Sequence, residues 1–247
     1  MKPIILLSKW KALGVHAGFT TKRFPLVLKN SNEWLDPSTQ IRFEKLFAKG
    51  RYAVLNQVHG DTVAVLEDKK RYGKIGFYHF SKTDGVVTNI PGLTLLVLTA
   101  DCLSVFLCVA KKIPGKKSAA DWVGLVHAGW RGTRAGIVAK AMRLLCKRSG
   151  RPPQDIYAAF GPCIGKAHYE VGEEFGAYFK APVLQRRRNT LYFDLAGENR
   201  RQLLALGVRP GRIFDPKLCT VAGNRDFYSF RKENEAAGRM ISFIEKP

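Results

Sequence analysis

The run "LTLLVLTADC", residues 93–102, constrains the fold more than any other stretch of this chain. Apart from two threonines it stays apolar until Asp101, with no alternation of polar and apolar positions. A strand with one wet face alternates. A continuous apolar run of this length is read as a strand buried on both faces, so its sheet must be covered on both sides. The next stretch, "CLSVFLCVA" (102–110), is read as continuing that strand. After a hairpin-like loop at "IPGKKSAAD" (113–121), "WVGLVHAG" (122–129) is the returning strand. Such strands need a large core. A chain of 247 residues can bury roughly 70% or more of the surface it exposes when unfolded.

Other elements follow from local pattern. "RYAVLNQVHG" (51–60) begins as a strand ahead of a turn at Gly60-Asp61, and "GVVTNIPG" (85–92) is a short strand closed by Pro91-Gly92. "TRAGIVAKAMRLLCKRSG" (133–150) has helical spacing at Ile137, Ala141, Leu144 and Leu145, and Gly150 and Pro152 stop it. "DIYAAFGPCIG" (155–165) is a strand running into a Gly-Pro turn, and "YEVGEEFGAYF" is a short helix candidate. "LYFDLAGENRRQLLALGV" starts as a strand and becomes a helix ending at Gly207. "RIFDPKLCT" and "MISFIEK" are late strand candidates. Strands and helices alternate without a regular βαβ rhythm, and no GxGxxG follows a strand, so a dinucleotide-binding sheet is not expected. No linker interrupts the pattern, which points to one α+β domain over residues 1–247 with mixed sheets.

The chain holds five cysteines, Cys102, Cys108, Cys146, Cys163 and Cys219. The number is odd and no pair has CxxC spacing, which argues for a reducing compartment rather than a disulfide framework. The apolar start "MKPIILLSKW" is interrupted by Lys9 and Lys11 and is too short for a signal sequence. No run approaches the ~18 apolar residues that span a bilayer. A cytoplasmic protein without a membrane partner is expected.

Lys and Arg total 41 against 20 Asp and Glu, a formal net charge of +21. The charges sit in short bursts beside turn residues: "DKKRYGK", "AKKIPGKK", "CKRSGRPP" and "QRRRN". No segment is a basic helix with interleaved aromatics, and no zinc-finger or RNP-like spacing appears. Nucleic acid is therefore not the expected main partner, whereas attraction for anionic small molecules is.

Three apolar runs end in residues that bind metals. "AVLNQV" leads to His59, "LTLLVLTAD" to Cys102 and "WVGLV" to His127. If the strands are neighbours, these side chains can converge at one rim of the sheet. Two imidazoles and one thiolate suit zinc, and three protein ligands leave a fourth place for water or substrate, as in catalytic sites. A water held there has its pKa lowered toward ~7 and becomes a nucleophile. Copper also accepts this donor set. A metal-free Cys–His nucleophilic pair is a further reading. The plainest reading makes each residue an isolated buried or satisfied side chain.

The blocks "NQVHGDTV", "TDGVVT", "TADCLSVFL", "VGLVHAGWRGTRAGIV", "GPCIGKAHYEVG", "ENRRQLLALGV" and "YSFRKE…GRMISFI" follow one another in an order that resembles the laccase-domain family. Its members are described as purine nucleoside phosphorylases and formerly bore the name multicopper polyphenol oxidoreductases. The resemblance runs from about Gly14 to Ile244. It implies an α-β-β-α layered fold, shared with some toxin domains that use Cys and His, and a zinc site of His59, Cys102 and His127. It also implies phosphorolysis of adenosine, inosine, guanosine and methylthioadenosine, with adenosine deamination as a side activity. Purine nucleosides and phosphate are then the partners. The older name keeps a copper-dependent phenol oxidase as an alternative. Several copper centres each need their own imidazoles, and this chain has five His in all. The toxin likeness keeps a metal-free amide hydrolase in view.

Roles follow from chemistry. Arg131, on a glycine-flanked turn after His127, is the phosphate candidate, because a guanidinium grips phosphate oxygens bidentately. Capping, or pairing with a carboxylate, is its plainer role. Lys22 and Arg23 add positive charge. They stand in "FTTKRFP", where the family often has Ser/Thr-Arg and a glycine-rich turn, so the chain departs from the pattern there. "DKKRYGKIGFYHFSK", with His79, departs too. Asp101, beside Cys102, is the candidate for proton transfer or for orienting a ligand, although on an extended segment the two would face opposite sides. Asn56 and Gln57 are read as substrate contacts or as partners of His59. "GPCIG" is a candidate pocket wall, with His168 near its edge, and Cys108, Cys146 and Cys219 are read as core or surface thiols.

Overall fold

Every residue of Leu93–Thr99 is buried, and its two faces meet different cores. In the computed structural model, which describes residues 1–111 and 119–247, Leu93, Leu95 and Val97 share an apolar layer with Phe106, Val123 and Leu125. Leu96 and Leu98 instead pack with Trp34, Phe43 and Phe243. The strand Leu103–Lys111 is divided in the same way. Phe106 and Cys108 join the inner layer, while Leu103, Val105, Leu107 and Val109 pack against Ile137, Val138, Ala141 and Leu145. Four layers result: the Pro37–Leu46 helix with its flanking turns, two sheets face to face, and the helices Ile137–Ser149 and Leu195–Ala205. The continuous apolar strands are what a sheet covered on both sides requires, and the α-β-β-α arrangement is present.

Among the described residues the first sheet runs, in spatial order, Ile4–Leu6, His16–Thr20, Met240–Glu245, Leu93–Thr99, Arg51–Leu55, Gly76–Phe80. The second runs Ile213–Phe214, Ile156–Phe160, Leu103–Lys111, Ala119–Ala128, Gly85–Thr88, Val63–Leu66. A small sheet of Glu170–Val171, Thr190–Phe193 and Leu184–Arg187 stands beside them. A polar contact bridges the inner faces where Ser242 Oγ donates to Ser104 Oγ at 2.9 Å. No helix among the described residues is long and apolar enough to cross a membrane.

Parallel pairing decides where the functional residues go. Arg51–Leu55 runs parallel to both Gly76–Phe80 and Leu93–Thr99, so all three finish at the same end of the first sheet. From each the chain then crosses to the second sheet. The first crossing carries His59, the second Asp84, the third Asp101 and Cys102. His127 lies in register with Ser104 at this same end, next to the Gly85–Val126 pair.

The structure corrects several expectations. "CLSVFLCVA" does not continue the preceding strand. Asp101 adopts a left-handed φ of 85° and sends the chain into the other sheet. An apolar run cannot mark where one doubly buried strand ends and another begins. The three ligand-bearing strands therefore belong to two sheets, not to one rim. The helix at 133–150 is two, Trp130–Arg134 and Ile137–Ser149, separated at Gly136 with φ 75°. "YEVGEEFGAYF" forms the Glu170–Val171 strand and a 3₁₀ turn at Glu173–Ala177, because Tyr169 and Phe175 dock on Phe193. "RIFDPKLCT" contributes only Ile213–Phe214, since Pro216 cannot donate to a ladder. The loop expected at 113–121 lies largely outside the described residues.

Phe43 shows how the outer helix is held. It is fully buried, and its ring lies 5.1 Å from those of Trp34 and Phe47 and 5.2 Å from that of Tyr52. Phe43→Ala is expected to lower unfolding free energy by about 3–5 kcal/mol in urea titration, the usual range for an emptied aromatic site. Metal affinity should be unchanged, because this cluster lies on the sheet face opposite the inner core.

Candidate metal centre and its cavity

Three crossings and one strand end deliver the metal-type side chains to one place. Donor atoms of His59, Cys102 and His127 all lie within 4.8 Å of one another, the one such His/Cys/Asp/Glu group among the described residues. The imidazoles of His59 and His127 meet edge to face, with centroids 4.8 Å apart. His127 is nearly buried, Cys102 half-buried and His59 exposed, so the group is open on one side.

Asp84 builds this arrangement. Its side chain is 0% exposed. The backbone N–H groups of Val58, His59 and Gly60 donate to its carboxylate at 3.2, 2.9 and 2.8 Å. The same carboxylate stands 2.8 Å from His127 Nδ1. One carboxylate thus folds the turn that carries His59, which has a left-handed φ of 59°, and fixes the ring of His127. A proton on Nδ1 shared with Asp84 leaves Nε2 as the donor for a cation, the usual carboxylate–histidine–metal relay.

The glycines of "HAGWRG" are required by proximity. A Cβ at Gly129 would lie 3.0 Å from Cys102 Sγ and 3.1 Å from His59 Cδ2. One at Gly132 would lie 2.7 Å from the Gly60 carbonyl oxygen. Only glycine lets this turn pass so close to the ligand group.

Electrostatics fit a thiolate ligand. Burial works against a charge on Cys102, but the neighbouring His127 and His59 outweigh it and bring the thiol down to about 6. Burial likewise works against a charged His127, yet the Cys102 sulfur and the Asp84 bond raise it to about 9. For Asp84, burial is offset by the His127 contact and by backbone N–H groups, and its carboxyl is held below the usual value. Two imidazole nitrogens and a thiolate, with a carboxylate behind one imidazole, fit zinc and also fit copper.

The trio opens into a cavity of about 360 Å³. Leu98, Ile164, Leu195, Tyr169 and Phe230 form apolar and aromatic parts of its wall, and Lys29, Arg231 and Arg239 supply positive charge. Asp101 also lines it. Its carboxylate accepts hydrogen bonds from the Thr220 hydroxyl and from the Arg231 backbone N–H, and its carbonyl accepts one from Ile164 N–H at 2.9 Å. Asp101 thereby fastens three later segments of the chain around the cavity.

The residues expected from sequence are distributed unevenly. Gln57 lines the cavity, but both ends of its amide are taken by the Leu98 backbone, at 2.8 Å each. Asn56 donates to the Asn32 side chain outside the lining. Lys22 is paired with Glu233 at 2.7 Å, and Arg23 is exposed nearby. Arg131 is exposed, with its guanidinium 4.5 Å from the centre of the Trp130 ring. Sequence reasoning missed Asp84, although the "TDGVVT" block contains it. Arg231 and Arg239 lay in the "YSFRKE…GRMISFI" block without an assigned role.

The family described as multi-copper polyphenol oxidoreductase laccase matches residues 36–246. The chain is similar to a protein named purine nucleoside phosphorylase from Deinococcus radiodurans, at 35% identity over 206 residues, 81% of this chain and 72% of that one. Among solved structures, the hypothetical protein YfiH of Bacillus licheniformis superposes with a TM-score of 0.80 at 27% identity, covering 100% of this chain and 97% of its own. YlmD of Geobacillus stearothermophilus superposes with a TM-score of 0.77 at 29% identity, covering 94% and 92%.

Asp84→Asn removes the charge behind His127 and one acceptor from the His59 turn. Zinc affinity, measured by competition with a chromogenic chelator, is expected to fall about 10–100-fold. Because the folded carboxyl titrates below its unfolded value of 3.8, its charge stabilises the fold above that value and ceases to do so as pH falls through the lower one. The stability gap between wild type and variant, both chelator-treated, should therefore narrow below about pH 4.

Proposed function

The chain belongs to the multi-copper polyphenol oxidoreductase laccase family, and from that membership we propose that it is a zinc-dependent purine nucleoside phosphorylase with adenosine deamination as a second activity. The observation that carries the reading is the joining of the His59–Cys102–His127 group to a cavity with both aromatic and cationic walls. The relatives named purine nucleoside phosphorylase support it.

His59, Cys102 and His127 would hold the ion, which supplies Lewis-acid polarisation and an activated water when bound. The remaining work falls to side chains. Tyr169, Phe230 and the aliphatic wall receive the purine, excluding water from its faces. Arg231 and Arg239, with Lys29 at the rim, draw phosphate toward the ribose and neutralise it while the glycosidic bond breaks. Arg131, Lys22 and Arg23 lie outside the lining, and Lys22 already neutralises Glu233. We assign these three a role in attracting anions rather than in holding them. Asp101, whose carboxylate is occupied by Thr220 and Arg231, is a positioning residue for the wall and for the Cys102 turn. A thiolate ligand is maintained in a reducing setting, which supports the cytoplasm as the compartment.

Cys102, His127 and Asp84 also form a nucleophile–base–carboxylate series, which favours a metal-free amide hydrolase as the second reading. A multicopper oxidase finds less support. His16 sits against Phe243, His79 beside Gln40 and His168 beside Cys219, all apart from the group that would bind the ion.

Zinc-loaded protein is expected to convert inosine to hypoxanthine and ribose 1-phosphate only when phosphate is present, and adenosine to inosine without it. Cys102→Ala should abolish both reactions together with stoichiometric zinc. Arg239→Met should raise the KM for phosphate by roughly tenfold or more, as expected for a lost charge-assisted hydrogen bond. Absence of free base from every nucleoside tried, with zinc bound, would sink the proposal.

A further inference from the structure

A second sulfur-containing cluster lies behind the cavity wall, and the activity proposed above does not use it. Cys163 and Cys219 are paired in a parallel bridge. Cys163 N–H donates to the Leu218 carbonyl at 3.1 Å, and Thr220 N–H donates to the Cys163 carbonyl at 3.0 Å. Register partners on neighbouring strands stand about 4.8 Å apart with side chains on one face, inside the window of about 4.4–6.8 Å between Cα atoms that a disulfide needs.

The two thiols differ in setting. Cys163 is 5% exposed and packs within the apolar core. Cys219 is partly open to solvent. Three nitrogens converge on its sulfur: His168 Nδ1 at 3.5 Å, Gly165 N–H at 3.3 Å and Ala222 N–H at 3.4 Å. Gly165 permits this, because a Cβ there would lie 3.1 Å from that sulfur. A partly exposed thiol with a base in contact and amide donors aimed at it is the setting of a nucleophilic sulfur.

We propose that Cys219 is a site of oxidation by hydroperoxides, that His168 is the base which takes its proton, and that Cys163 resolves the oxidised sulfur as a Cys163–Cys219 disulfide. The chemistry balances. The Cys219 sulfur attacks the peroxide, forming an S–O bond as the O–O bond breaks, and the proton held by His168 passes to the departing oxygen. The product is a sulfenic acid and an alcohol, or water when the oxidant is hydrogen peroxide. Cys163 sulfur then attacks Cys219 sulfur. The S–O bond breaks, and the Cys163 proton leaves with the hydroxide as water. Two thiols supply the two electrons that reduce one peroxide. Such a bond is transient in a reducing compartment, as expected of a redox-responsive pair. It would also reach the cavity. Ile164 and Thr220, each one residue beyond a cysteine of the pair, donate to Asp101.

The test uses the whole 247-residue chain loaded with zinc, a near-stoichiometric pulse of hydrogen peroxide, alkylation of remaining thiols and peptide mass mapping. The expected result is a cross-linked peptide pair joining Cys163 to Cys219, removed again by dithiothreitol. Cys219→Ser should give no cross-link. Cys163→Ala should stop at a sulfenic acid on Cys219, trapped by dimedone. His168→Gln, with an unchanged circular dichroism spectrum, should slow cross-linking by about tenfold or more. Oxidation confined to Cys102, or cross-linking at the wild-type rate in His168→Gln, would overturn the proposal. The readout is peptide mass, so its failure is distinct from any failure of nucleoside turnover.

Discussion

A single buried carboxylate organises the functional end of this molecule. Asp84 accepts three successive backbone N–H groups from the turn carrying His59, and it holds the ring of His127 in one orientation. A carboxylate without partners in this position would be strongly unfavourable, and with four it is fully satisfied. The interaction couples two pieces of chain that are distant in sequence, so the relative placement of both imidazoles depends on one residue that lies outside the cavity lining. Sites whose ligands are fixed from behind keep their geometry without being filled.

The topology separates a floor from a wall. The floor comes from crossings between the two sheets, anchored by strands that are buried throughout. Much of the wall, including Ile164, Tyr169, Phe230 and Arg231, comes from later segments, three of which are tied together through Asp101. Rigid strands hold the chemistry, while the segments that shape the cavity hang on a few hydrogen bonds. Relatives on the same fold can therefore vary the wall without disturbing the donors beneath it.

Much of this was legible in the sequence. The runs ending at His59, Cys102 and His127 were readable because a doubly buried strand leaves an unbroken apolar signature, and a polar residue at its end stands out. The layered α+β architecture came from the ordered blocks, since composition and periodicity alone cannot say how two mixed sheets stack. The crossing at Asp101 was hidden because its left-handed backbone has no glycine to announce it. Asp84 was hidden for another reason. An Asp before Gly reads as an ordinary turn, and its four partners come from residues 24 to 43 positions away. The positive charge was misleading in the opposite sense. Lys22 and Arg131 looked available, yet one is neutralised by Glu233 and the other lies over an indole ring. The cations that do line the cavity, Lys29, Arg231 and Arg239, come from stretches without any dense basic run.

The position of Met240–Glu245 has a consequence for how the chain reaches this state. That strand lies between His16–Thr20 and Leu93–Thr99, inside the first sheet rather than at its edge. During synthesis all three metal-type residues leave the ribosome long before it does. Until it arrives, two apolar strand edges stand apart with unsatisfied backbone groups, a surface that invites pairing with other chains. Closing a gap spanned by more than half the polypeptide is a non-local step of the kind that makes folding slow. The nascent protein is thus open to wrong pairing until Met240–Glu245 has been made and inserted.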